Sequence, residues 1–441
     1  MRAEITRQRA TNLAGTRRAG GRLLGVVVLG ACIGWARPAG ADAVVHWNSV
    51  ASTAIGAATV AGRPGPATAL DFAMVHAAVH DAVQAIARRY EPYHQDIAGA
   101  SGSPAAATAK AAHDVLVHLF PGQETSLDTA YADFFAANGL APDDPGVLVG
   151  EQAAAGIIAL RLNDGRYPPT FPPFVGSIAV GQWRPTPSYL PGPPPSGAPM
   201  AAPWLDAVVP FTLVHAAQFR ADPPPNLTSQ EYRRDYGEVK ALGSLSSTVR
   251  SAAQTDLAYF YADNIFLQWN RTLRGIADAR IRDIADSARL FALASLATAD
   301  AVIAAWDTKK HYNVWRPMTA IQEGETDGNP RTAGEPGWQP LGNNPNYPDY
   351  ASGVNVVTAA MATSLRLFFG RDKMSFEMTS NVPAVVEKTR TYRRFSAAMR
   401  DAVEARMYLG IHFRFANTAG GDQGREVARW TFKHYLRPVR H

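Results

Sequence analysis

The chain has 441 residues, 46% of them apolar and 18% charged, with 36 glycines and 32 prolines. That balance excludes a chain disordered throughout and allows one large core, or two domains sharing a face. The formal charge is +5, but residues 1–41 hold seven arginines and one glutamate, so the remainder stands at −1 and gives no ground for a nucleic-acid partner.

Residues 1–41 have the layout of a secretory signal peptide: basic residues, an apolar core from Leu23 to Ile33, then small residues at Ala39-Gly40-Ala41. The expected protein is exported, to the periplasm or beyond. The apolar core is too short to span a bilayer comfortably. Arg17-Arg18 raises twin-arginine export, although the residues after the pair do not complete that signal. Leu29-Gly30-Ala31-Cys32 reads either as a lipobox, giving a lipid anchor at Cys32, or as small residues inside the apolar core. Cys32 is the only cysteine, so no disulfide can form within the chain. No other apolar run reads as long enough for a membrane helix, so no transmembrane span is expected.

After the leader, two regions are expected: an N-terminal helical one over 42–228 and a C-terminal helical domain over 229–441 carrying the site. "ATALDFAMVHAAVHDAVQAIARRY" has apolar residues at helical spacing and no breaker; "AAATAKAAHDVLVHLF" and "DDPGVLVGEQAAAGIIALRLNDG" follow, the last ended by Gly165. His76 and His80, four apart beside Asp81, can share a helix face and raise a zinc site, but no third ligand accompanies them. Twelve prolines between Pro168 and Pro203 exclude helix there and predict a long surface loop. Helices resume near Ser229. The longest is "RIRDIADSARLFALASLATADAVIAAWDTKKHY", followed by "ASGVNVVTAAMATSLRLFFG", "RTYRRFSAAMRDAVEARMYLG" and "GGDQGREVARWTFKHYL". The fold class is all-α, helical bundles with long proline-rich loops.

Three short stretches in the C-terminal half carry chemistry. Lys309 and Arg316 are seven apart, about 700° and about 10 Å along a helix, so both lie on one stripe; Pro317 places Arg316 where that helix ends. Ser352-Gly353 opens an apolar helix, and a helix start with a hydroxyl and bare amides favours an anion. Arg406 and His412 are six apart and face different ways in a continuous helix, but Gly410 can end it and turn His412 back. Each stretch alone has an ordinary reading: a solvated helix end for Lys309, Lys310 and Arg316, a satisfied core imidazole for His412. Together they offer three fixed cations, a hydroxyl, amides and one imidazole, which suits a tetrahedral oxyanion.

The order Lys-x6-Arg-Pro, Ser-Gly, Arg-x5-His resembles the vanadium-dependent haloperoxidases and their relatives, the type 2 phosphatidic acid phosphatases and bacterial acid phosphatases. "VVHWNSVASTAI", "VHAAVHDAVQAI" with "YEPY", and "ARLFALASLATADAVIAAWDTKKHYNVWRPMTAI" are similar to exported bacterial haloperoxidase-type proteins. The resemblance implies helical bundles and a vanadate cofactor, with phosphate as competing ligand. It implies that Lys309, Arg316 and Arg406 neutralise the oxyanion, that Ser352 and the Gly353 amide hydrogen-bond it, and that His412 is the vanadium ligand or a nucleophile towards phosphorus. Trp306 and Tyr347 fall where the family lines its pocket.

One position departs from the pattern. The family motif Pro-Ser-Gly-His stands here as Ala351-Ser352-Gly353-Val354, and the Val354 side chain cannot carry a proton. His311 reads as structural, hydrogen-bonded near the helix end, though it or Tyr350 is an alternative proton carrier. Three functions follow: a haloperoxidase-type enzyme acting on peroxide and halide, a phosphatase acting on a phosphate monoester through His412, or a non-catalytic oxyanion-binding or scaffold protein. Dimerisation is left open.

Overall fold

In a computed structural model the described residues are 43–188 and 196–439; the leader, Cys32 and both export readings lie outside them. Chain order begins with α1 (Ala43–Val60), α2 (Thr68–Ala87), α3 (Pro104–Leu119), α4 (Glu124–Asn138) and α5 (Pro145–Leu160). After the proline-rich segment come α6 (Gln230–Gly243), α7 (Ala252–Phe260), α8 (Ile265–Arg280), α9 (Ile284–Tyr312) and the short α10 (Pro317–Gln322). The rest is α11 (Gly353–Phe368), strands β1 (Lys373–Thr379) and β2 (Thr389–Arg394), α12 (Phe395–Tyr408) and α13 (Arg414–His434). The all-α reading holds, with one addition: β1 and β2 form an antiparallel hairpin pairing Phe376 with Tyr392 and Thr379 with Thr389. "RTYRR" therefore starts as a strand, because Tyr392 stacks on Phe376 across the pair.

Helix α9 is the axis of the molecule. The Asp283 carboxylate accepts from the backbone N–H groups of Ala285 and Asp286 at its start, and Asn313, with φ 48°, ends it in the left-handed conformation. Most of its residues are alanine, leucine or other small and apolar types, buried on every side against α2, α11 and α13. This corrects the reading of apolar run length, since α9 is long and apolar enough to cross a membrane by length and composition. Its apolar window is wholly covered by protein, which accounts for the apolar surface without a bilayer.

Helices α11 and α13 approach closely because α13 carries glycines where they touch. A Cβ at Gly424 would stand 2.2 Å from the Val356 carbonyl oxygen, and one at Gly420 would stand 2.5 Å from that of Ser352. The contact presses the start of α11 against α13 and fixes the Ser352 turn. Helix α5 stops at Leu160, short of Gly165, and α13 begins six residues before Gly420. The proline-rich segment contains no helix or strand among its described residues. It is stitched to the end of α9 by Trp183 N–H to Asn313 O at 2.6 Å and Trp315 N–H to Gly181 O at 3.0 Å. Ala201 N–H also donates to Asn346 O at 2.9 Å, drawing the segment over the turn before α11.

Candidate oxyanion site

Lys309 lies in the last turn of α9 with no exposed surface. Its Nζ donates to the carbonyls of Pro348 at 2.6 Å and Asp349 at 3.2 Å, and sits 4.8 Å from the centre of the Tyr347 ring. Trp306, one turn earlier, packs against Tyr347 at 5.0 Å, and its indole N–H donates to Ala201 O. Both aromatic rings predicted to line a pocket thus wall the lysine, and the proline-rich loop closes over them.

Arg316 reaches the same place by another route than expected. Helix α9 ends at Tyr312, and Arg316 is extended, with φ −81° and ψ 155°, as the residue before α10. Lys309 and Arg316 therefore do not share a helical stripe; Pro317 holds Arg316 extended, and its long side chain turns inward. Its Nε donates to Tyr347 O at 2.9 Å and its Nη1 to Ile411 O at 2.7 Å, while Nη2 is buried without a partner. Nη1 stands almost equally far from the two ring nitrogens of His412, at 3.2 and 3.4 Å, so it lies against the imidazole rather than in line with either nitrogen.

Gly410 does what the spacing required. Helix α12 ends at Tyr408, Gly410 has φ 76°, and a Cβ there would meet the Gly243 carbonyl oxygen at 2.3 Å. The chain reverses and brings His412 inside, 1% exposed. Arg406 is also buried; Nη1 donates to Tyr261 O at 3.1 Å and Nε has no partner. An open cavity of about 360 Å³, lined by Arg406, Asn346 and Ile411 among others, gives this arginine access from outside. Ser352 and Gly353 open α11 as predicted. The serine hydroxyl caps no backbone amide; it accepts from Asn355 Nδ2 at 3.1 Å, and Asn355 in turn donates to Asn417 Oδ1. Val354 stands next, half-buried, with its side chain packed on the core.

One residue of this cluster was not singled out in the sequence, although it lies three residues before Ser352. Asp349 is fully buried; its Oδ1 is 2.7 Å from His412 Nδ1 and 3.7 Å from Arg316 Nη1. Only its place between the cations distinguishes it from an ordinary loop aspartate. Burial pushes its carboxyl up to about 7 against the pull of Arg316 and Lys309. Burial, then Arg316, Lys309 and Arg406, drive the His412 pKa well below the usual histidine range, so the ring is neutral. Burial, with Arg316 next, likewise lowers Lys309 far below an ordinary lysine, and burial lowers Arg406 to about 10. Three cations crowded in this way share one buried carboxylate, and Arg316 Nη2 and Arg406 Nε lack acceptors. A bound oxyanion supplies acceptors and negative charge, so the residues present fit vanadate or phosphate.

Other candidates fall outside. Lys310 pairs with Asp206 at 2.7 Å and donates to Pro203 O, anchoring the proline-rich loop's end. His311 is exposed, its ring edge-on to Tyr312 at 4.6 Å rather than hydrogen-bonded at the helix end as expected. The Tyr350 hydroxyl is engaged elsewhere, donating to Asp222 O at 2.6 Å. His76 Nε2 lies 2.8 Å from Asn48 Nδ2, and His80 Nε2 lies 3.0 Å from the Glu91 carbonyl; no metal-holding group of His, Cys, Asp and Glu occurs among the described residues. Both histidines are parts of the core.

The chain is thus a helical bundle with buried cations gathered round one imidazole. Comparison with known proteins narrows the class. Residues 289–441 match the family described as the VCPO second helical-bundle domain. The chain is 27% identical over 289 residues to vanadium chloroperoxidase of Curvularia inaequalis, a match covering 50% of this chain and 47% of that one. The match thus spans about half the length of this curated relative. The first bacterial vanadium-dependent iodoperoxidase structure superposes with TM-score 0.75 at 24% identity, covering 92% of this chain and 98% of that one. A holo-type bacterial vanadium-dependent chloroperoxidase gives TM-score 0.67 at 18% identity, covering 83% and 91%. The fold is therefore shared with these vanadium-dependent haloperoxidase structures, and the C-terminal third of the chain carries the family match.

Proposed function

We propose that this is a haloperoxidase-type enzyme that holds vanadate between Lys309, Arg316, Arg406 and His412. The observation that carries the reading is the convergence of three separate stretches into one buried cluster with unpaired donors, Arg316 Nη2 and Arg406 Nε. Arg316 and Arg406 donate to the oxyanion, Lys309 adds positive potential behind Tyr347, and the Ser352 hydroxyl and Gly353 N–H supply further donors at the start of α11. His412, neutral through burial, keeps a nitrogen lone pair for the vanadium. Vanadate, when bound, supplies a Lewis-acidic centre that activates hydrogen peroxide towards a halide. The aromatic wall of Trp306 and Tyr347 excludes water from the cationic side. The expected site of action is outside the cytoplasm, given the leader.

Val354 favours a second outcome, an occupied but slow site. No side chain at that position moves a proton, and His311 and Tyr350 are turned elsewhere. The test is iodide and bromide oxidation by purified protein with peroxide, with and without vanadate, alongside hydrolysis of an aryl phosphate. Vanadate-dependent halide oxidation that inorganic phosphate suppresses is the expected result. Vanadate-independent aryl phosphate turnover lost in His412→Ala would make the protein a phosphatase, and tight vanadate binding without either activity would make it a binding protein.

A further inference from the structure

Asp349 is a carboxylate buried among the cations of the site, and neither of its oxygens receives a well-aligned hydrogen bond. The polar groups against it are His412 Nδ1, 2.7 Å from Oδ1 but off the donor axis, Arg316 Nη1 at 3.7 Å and the backbone N–H of Phe413, none of them well aligned. A buried carboxylate left in that state costs free energy that one aligned donor relieves, and catalytic hydrogen bonds are often bent before ligand arrives. The imidazole has the complementary need. Arg316 Nη1 lies against its ring, 3.2 Å from Nε2 and 3.4 Å from Nδ1, and places a positive charge beside both nitrogens. An imidazole under that field is a poor ligand unless its other nitrogen donates to an anion.

We infer that Asp349 is a positioning residue for His412: its carboxylate takes the Nδ1–H, which fixes the ring and its tautomer and leaves the Nε2 lone pair for the oxyanion. This rests on the proposed role of His412 in holding vanadate. A rotation of the imidazole that aligns Nδ1–H with Oδ1 also sets the direction of Nε2. The competing acceptor is the main-chain carbonyl of Asp349 itself, which also lies against the ring and which no side-chain change removes.

Asp349→Asn and Asp349→Leu separate the two acceptors. Both remove the charge; only asparagine keeps an oxygen for Nδ1–H. Nitrogen-15 NMR of the full chain with labelled histidine, without oxyanion, reads the tautomer, and His412→Gln identifies its signals. Wild type and Asp349→Asn should carry the proton on Nδ1, and Asp349→Leu should lose that preference. Vanadate should then bind the leucine variant about 10–100-fold more weakly than the asparagine variant. Inorganic phosphate, held by the cations without a bond to the imidazole, should bind both alike. An Nε2–H tautomer in the wild type, or an unchanged Nδ1–H tautomer in Asp349→Leu, overturns the inference. Should the leucine variant fail to fold, Asp349→Ala serves in its place, and the wild-type spectrum still decides. If wild type binds no vanadate at all, the proposed function fails, while the tautomer experiment judges Asp349 independently.

Discussion

Replacing Arg406 by methionine keeps the apolar stem and removes the guanidinium that lines the open cavity. In the folded protein this arginine has spent Nη1 on the Tyr261 carbonyl and has Nε unpaired. Its burial without a compensating anion has already lowered its pKa to about 10, a sign that the free site pays for holding it. Two effects of opposite sign follow. Without ligand, exchanging an unpaired buried cation for an apolar side chain of similar volume should leave stability unchanged or raise it. With ligand, at least one charge-assisted hydrogen bond is lost, about 1.5–3 kcal/mol, which weakens oxyanion binding by about 10–150-fold. The assay is thermal or urea unfolding with and without phosphate or vanadate. At a concentration 100 times the wild-type Kd, ligand adds about 2.7 kcal/mol of stability. If the Kd rises 100-fold, the same concentration adds only about 0.4 kcal/mol. A variant with wild-type ligand stabilisation would refute the placement of Arg406 in the site. A large loss of ligand-free stability would refute the claim that its charge is uncompensated.

Val354→His should raise peroxidase turnover by about 10²–10⁴-fold, equivalent to about 3–5 kcal/mol of barrier, if the α11 start presents the imidazole to the oxyanion. Steady-state kinetics with saturating vanadate check this; brisk wild-type oxidation unaltered by the substitution would show that the valine disables nothing. His76, buried with its pKa lowered to about 3 by burial and by Arg274, remains neutral in the native state while the unfolded chain protonates near 6.5. Its contribution is complete above pH 6.5 and is lost as pH falls from there towards 3, by ~1.4 kcal/mol per pH unit. His76→Gln, whose amide oxygen can accept from Asn48, should therefore flatten the pH dependence of urea unfolding between pH 6.5 and 4. An identical slope in both proteins would show that His76 titrates normally. Gly410→Ala adds a Cβ 2.3 Å from the Gly243 carbonyl at a residue with φ 76°. Unfolding should reveal a loss of about 1–3 kcal/mol from overpacking. Phosphate affinity should fall with it, because His412 follows two residues later; unchanged affinity would mean that the reversal does not place His412.

Much of the helical architecture is legible in local patterns of the chain. Apolar spacing predicted α2, α3, α5, α9, α11 and α13 near their observed places, because helical periodicity is a local property. Prolines between 168 and 203 excluded helix for an equally local reason. Spacing also put forward Lys309, Arg316, Ser352, Arg406 and His412 as candidates, although the helical stripe expected for Lys309 and Arg316 does not form because α9 ends at Tyr312. What it could not supply was direction. Lys310 and His311 adjoin Lys309, yet one pairs with Asp206 and the other faces solvent, a choice made by the loop packed over the end of α9. Strand β2 owes its form to a partner ten residues and more away, across the hairpin, where Phe376 meets Tyr392. Asp349 carried no local signal, because a loop aspartate becomes unusual only when burial removes its water. Its place between Arg316 and His412 depends on α9, the turn before α11 and the α12–α13 reversal meeting at one point. That meeting is fixed by the glycines that let α13 close on α11, a contact between distant segments that only the tertiary structure decides.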